Sequence, residues 1–170
     1  MSTALSRNTN ASMATPKQSN IPNTFVININ ANTLSRRTTL GLARTIIHEA
    51  IHARLWEFMY SRDKNLALIQ SDFPGIYEYY RIYQQNWDHQ QMASFYRGTI
   101  TKGLKQFDNA QHPDTFYIAL AWEGLSEIMD KNGNNSIIYT EAWKKLPLAE
   151  QQIILQTITN EKNNGKKSCD

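Results

Sequence analysis

The sequence predicts a mainly α (α+β) domain in which a short strand or small sheet precedes one long central helix. Three observations carry this reading. Apolar residues alternate in TFVININ, they recur at helical period from Thr39 to about Ser61, and the same period returns in several segments after Trp87.

The chain of 170 residues is long enough for one domain to bury a core without covalent staples. Cys169 is the only cysteine, so no internal disulfide contributes. The net charge is +3, and the basic residues Arg36, Arg37, Lys144, Lys145, Lys166 and Lys167 are dispersed along the chain. Nucleic acid, which calls for a concentrated basic stripe, is therefore not an expected partner. No apolar run is long enough to cross a bilayer, and the first thirty residues carry no apolar signal segment. The expectation is a protein without a membrane-spanning segment, cytoplasmic or secreted by a route that needs no signal peptide.

Residues 1–20 are mostly Ser, Thr, Asn and Ala and are expected as a disordered arm, with a folded domain over 21–162 and a disordered basic tail over 163–170. In TFVININ, Phe25, Ile27 and Ile29 alternate with Val26, Asn28 and Asn30, the period of a half-buried strand. From Thr39 the period becomes helical, with Thr38 or Thr39 as the cap and SRDKN as the end. At 100° per residue, Leu40, Ala43, Ile46, Ile47, Ala50, Ile51 and Leu55 form a wide apolar arc, while Thr45, His48, Glu49, His52 and Trp56 share the remaining sector. Pro74 and Gly75 interrupt the next stretch, and Tyr77, Tyr79, Tyr80 and Tyr83 form an aromatic bridge suited to core packing or to lining a groove. A second helix is expected over Trp87 to Phe107, with His89, Ala93, Tyr96, Ile100 and Leu104 on one side. A third is expected over Thr115 to Asp130, followed by a turn at KNGNNS and a weak strand candidate from Ser136 to Tyr139. Short helical segments over Glu141 to Lys144 and Leu148 to Asn160 close the domain.

The chemistry concentrates in TIIHEAIHARL. His48 and His52 are one helical turn apart, so both imidazoles can converge on one ion from the same side. Glu49 follows the first histidine directly and is placed to take a proton from water at the ion, the role this spacing assigns it in metal-dependent peptide hydrolysis. The bland alternative is a core helix whose two histidines only make hydrogen bonds. Zinc favours four ligands and a catalytic site leaves one to water, so a third protein ligand is required. His89, Glu123, His112 and Asp88 are the candidates. His89 is preferred because it projects from an apolar helix face, where a polar ring needs a partner. Asp88 points away by about a quarter turn and suits support of a ligand or capping. Glu123 can ligate or hold a ligating imidazole, and His112 sits in the loop DNAQHPD. Tyr96 and the tyrosines at 77 to 83 are candidate donors to a developing oxyanion.

Through HEAIHARL the chain resembles the zincin superfamily of metallopeptidases, matching at His48, Glu49 and His52. Together, TFVININ, TIIHEAIHA, WDHQQMASFY and FYIALAWEGL look similar to small SprT-like or predicted metallopeptidase domains, some of them bacterial toxin domains, over about residues 24–129. The resemblance implies a zincin-like helical domain, zinc, a third ligand on a later helix at His89, and a protein or peptide substrate. For a toxin it also implies a cognate inhibitor. IHARLWEFMY lacks the downstream glycine and histidine of metzincins, and a gluzincin arrangement would need Glu123 as ligand. Two other classes of function remain open on the residues: a metal-stabilised binding protein without catalysis, and an amidase acting on a non-peptide or cell-wall amide.

Overall fold

The computed structural model describes residues 10–61, 87–129 and 137–167. The chain enters the fold through a small antiparallel sheet of β1 (Ala11–Ala14) and β2 (Val26–Ile29), in register from Ala11 opposite Ile29 to Ala14 opposite Val26. Between them lies a single turn, α1 (Pro16–Ser19). Thr15 caps it reciprocally with Gln18, and Pro16 supplies a preset φ at the first helical position. Residues 11–19, expected as part of a disordered arm, are thus ordered elements. Their apolar content is low, and pairing with β2 rather than a core of their own holds them.

A second short turn, α2 (Ala31–Leu34), is capped by Asn30 and leads into the central helix α3 (Thr39–Ser61). Thr38 Oγ1 accepts the Gly41 N–H at 3.0 Å, so the cap and both expected ends of this helix are found. Its orientation differs from the apolar arc read at 100° steps. Leu40, Ala43, Ile51, Leu55 and Phe58 are buried, but Ile46 is 40% exposed and Ala50 also faces out, while Thr45, His48 and His52 are buried. The arc covered too much of the circumference to fix a rotation by itself. The deciding factor is that β1 and the following helix cover the polar sector.

That following helix is one rod in three parts: α4 (Trp87–Gln91), a π turn (Met92–Tyr96) and α5 (Arg97–Phe107). The extra residue of the π turn slips one half relative to the other. Gln91 and Met92 are consequently buried, and Tyr96, expected on the inward stripe, is only half-buried. Arg97 Nε donates to the Ala93 carbonyl at 2.6 Å, and its guanidinium carbon stands 4.0 Å from the centroid of a Trp122 ring. At Gly103 a methyl group would come within 2.9 Å of Ile47 Cδ1, so an alanine there would have to displace the tip of that side chain between α3 and α5.

The helix expected over Thr115 to Asp130 stops early. Its helical part is α6 (Asp114–Leu120), after which Gly124 adopts φ +79° and the chain turns into β3 (Glu127–Met129). β3 pairs antiparallel with β4 (Ile137–Tyr139), the weak strand candidate. Thr140 caps α7 (Glu141–Lys144), whose buried Trp143 meets Trp122 edge to face at 5.1 Å. The closing helix α8 (Leu148–Asn164) runs past its expected end. Lys166 then accepts the Thr39 N–H at 2.8 Å, and Lys167 forms an isolated bridge with Thr38. Residues 163–167, expected as frayed, dock on the start of α3 because its first amide groups need acceptors. The whole is mainly α with small sheets, and no helix among the described residues is long and apolar enough to cross a membrane.

Candidate metal centre

One turn of α3 and the first turn of α4 bring His48, His52 and His89 together, with one ring nitrogen from each within 4.8 Å of the others. His48 and His52 are buried, His89 half-buried. The Nε2 atoms of His48 and His52 are 3.0 Å apart, and the His89 ring centroid lies 4.7 Å from that of His52 and 5.5 Å from that of His48. The imidazoles turn toward one another rather than to separate neighbours. The three histidines can hold a metal ion.

Asp88 holds two of them. Its Oδ2 is 3.2 Å from His52 Nδ1 and its Oδ1 is 3.2 Å from His89 Nδ1, while Oδ1 also accepts the His89 backbone N–H at 2.8 Å. A carboxylate only accepts, so each Nδ1 carries a proton, which leaves Nε2 as the nitrogen that can turn to an ion. Burial pushes the Asp88 carboxyl up, but hydrogen bonds from His52 and His89 and their charges outweigh it and hold the group well below the usual carboxylate range. His48 is held well below the ordinary histidine value, first by burial and then by the charges of His52, Arg44 and His89. It is therefore neutral at physiological pH, the state a metal ligand needs. Its Nδ1 is buried without a partner. Gly124 lies over this ring: a methyl group there would stand 3.5 Å from His48 Cε1 and 3.4 Å from an Arg44 nitrogen.

Glu49 lies near enough to the cluster to feel the charges of His52 and His89. Burial raises its carboxyl, partly offset by those charges, by Arg44 and by a hydrogen bond from the Met13 backbone. The strand β1, absent from the sequence reading, thereby orients this carboxylate.

The remaining candidates fall elsewhere. Glu123 is paired with Arg44 at 3.3 Å and Lys162 at 3.1 Å instead of joining the imidazoles. His112 stacks on Phe116 with centroids 4.2 Å apart, beside Asp108. Tyr96 closes the π turn, half-buried against the core, and burial raises its hydroxyl pKa. Tyr77, Tyr79, Tyr80 and Tyr83 lie outside the described residues. No protein-family model, curated protein or solved structure matches the chain.

Proposed function

We propose that the chain is a zinc-dependent hydrolase of peptide bonds in a protein or peptide substrate, with His48, His52 and His89 holding the ion and Glu49 as general base. The convergence of three imidazoles beside the half-buried carboxylate of Glu49 carries this reading. Three imidazole nitrogens suit zinc and leave a fourth position for water. In a tetrahedral zinc site two ligand nitrogens stand about 3.3 Å apart. The 3.0 Å between His48 Nε2 and His52 Nε2 is close to that spacing.

When bound, zinc supplies a Lewis acid and brings the ionisation of water toward neutral pH. Glu49 takes the proton of the attacking water and returns it to the leaving amine nitrogen. Its burial strengthens it as a base, and the Met13 N–H fixes its direction. Asp88 holds His52 and His89 in the tautomer that leaves Nε2 free.

Elemental analysis and turnover of a mixed peptide pool test the proposal. Protein purified without chelator should carry about one equivalent of zinc, and Glu49→Gln should keep the zinc and lose hydrolysis. A zinc-loaded wild type that cleaves nothing, or a Glu49→Gln variant as active as wild type, would replace the enzyme with a metal-stabilised binding protein.

A further inference from the structure

Upstream of His48 on the same helix, a cavity of about 440 Å³ opens beside the first turns of α3, lined by Arg36, Arg37, Arg44, Glu123, Glu161 and Lys162 among others. Two of its arginines are buried, Arg37 at 9% and Arg44 at 6% exposure. Arg37 Nη2 donates to two neutral acceptors, the Gly41 carbonyl at 2.8 Å and the Thr45 hydroxyl. Its Nη1 is buried with no partner, and no carboxylate of the described residues lies within salt-bridge distance of it. Arg44 spends Nη1 on the Glu123 carbonyl at 3.1 Å and Nη2 on Glu123 Oε1 at 3.3 Å, leaving Nε without a partner. Lys162 Nζ reaches the same Oε1 at 3.1 Å.

One carboxylate oxygen thus serves two cations, and the second buried guanidinium, that of Arg37, has none. A buried charge is costly unless it is paired, and a buried donor is costly unless it is bonded. The amino-terminal end of α3, which lines the cavity at Thr38, Leu40 and Gly41, adds further positive potential. Two partly unsatisfied guanidinium forks match the planar oxygens of a carboxylate or phosphate.

We infer that this cavity is an oxyanion site that takes the phosphate or carboxylate group of a small ligand on Arg37, Arg44 and Lys162. The inference stands apart from the zinc reading, since none of these groups is a proposed ligand of the ion. Gly124 stands close to both Arg44 and His48.

Calorimetric titration of the full chain tests it, with inorganic phosphate in one arm and acetate in the other, at ionic strength held constant with sodium chloride. At least one anion should bind saturably over chloride, and the arm that binds names the head group. Lys162→Ala and Arg37→Met should each weaken that binding about tenfold, as loss of a charge-assisted hydrogen bond does. Lys162 is 58% exposed, so its variant folds and keeps the test decisive even where Arg37→Met does not. Binding of neither anion, or binding unchanged in Lys162→Ala, overturns the inference. So does binding that both variants retain and His89→Ala abolishes, which would put the anion on the histidine cluster.

Discussion

The carboxylate of Asp88 accepts the Nδ1 proton of His52 at 3.2 Å while its other oxygen stands equally close to His89 Nδ1. A side chain that is no ligand itself therefore couples two helices at the histidine cluster.

Asp88→Asn removes this double acceptor, because an amide offers one oxygen and would set its NH2 against the other ring. Zinc affinity should fall roughly 10- to 100-fold, the usual effect of losing such a partner, with the helical circular dichroism unchanged. Competition with a chromophoric chelator measures it.

The same carboxylate makes the chelated protein sensitive to acid. Its folded pKa lies below the unfolded value of 3.8, despite burial, because His52 and His89 donate to it. A depressed carboxyl contributes stability that is complete above the unfolded pKa and is lost as pH falls through the folded one. The stability difference between wild type and Asp88→Asn should therefore hold at neutral pH and shrink once pH drops below 3.8, as read by urea unfolding at each pH.

Glu49→Gln preserves shape while removing the base. Hydrolysis should fall by about 10²- to 10⁴-fold with the zinc content intact, measured by initial rates and elemental analysis on the same preparation.

Gly124→Ala strains a backbone at φ +79° and presses a methyl group toward His48 and Arg44. A loss of roughly 1–2 kcal/mol is expected for the left-handed conformation alone, readable as a lower denaturant midpoint.

The rotation of α3 is open to a paired test. Leu55, fully buried, should cost about 2–5 kcal/mol when cut to alanine. Ile46, at 40% exposure, should cost well under half as much. Equal costs would restore the arc that places both inward.

The site was legible wherever spacing and chemistry coincide. The i to i+4 histidines and the glutamate between them follow from helical geometry, while His89 was the preferred one of four candidates and Asp88 suited the support of a ligand, as the needs of an imidazole ligand suggest. The start of α3 was equally plain, since Thr38 caps it. Three features had no sequence signal. ASMA is too short and too weakly apolar to announce β1, which its pairing with β2 creates. IALAWEGLSEIM keeps a helical composition through Gly124, so only the positive φ reveals the turn into β3. In the sequence Arg37 counts only as one of several dispersed basic residues and Arg44 draws no reading, because arginine is seldom buried and the enclosure of both depends on the carboxy-terminal helix packing nearby.

Zinc K-edge X-ray absorption on the zinc-loaded wild type tests the central claim most directly, with His89→Ala and Glu123→Gln measured alongside. The account predicts three nitrogen ligands at about 2.0–2.1 Å in wild type and in Glu123→Gln, and one fewer imidazole in His89→Ala. A spectrum unchanged by His89→Ala, or no zinc bound at all, would contradict it.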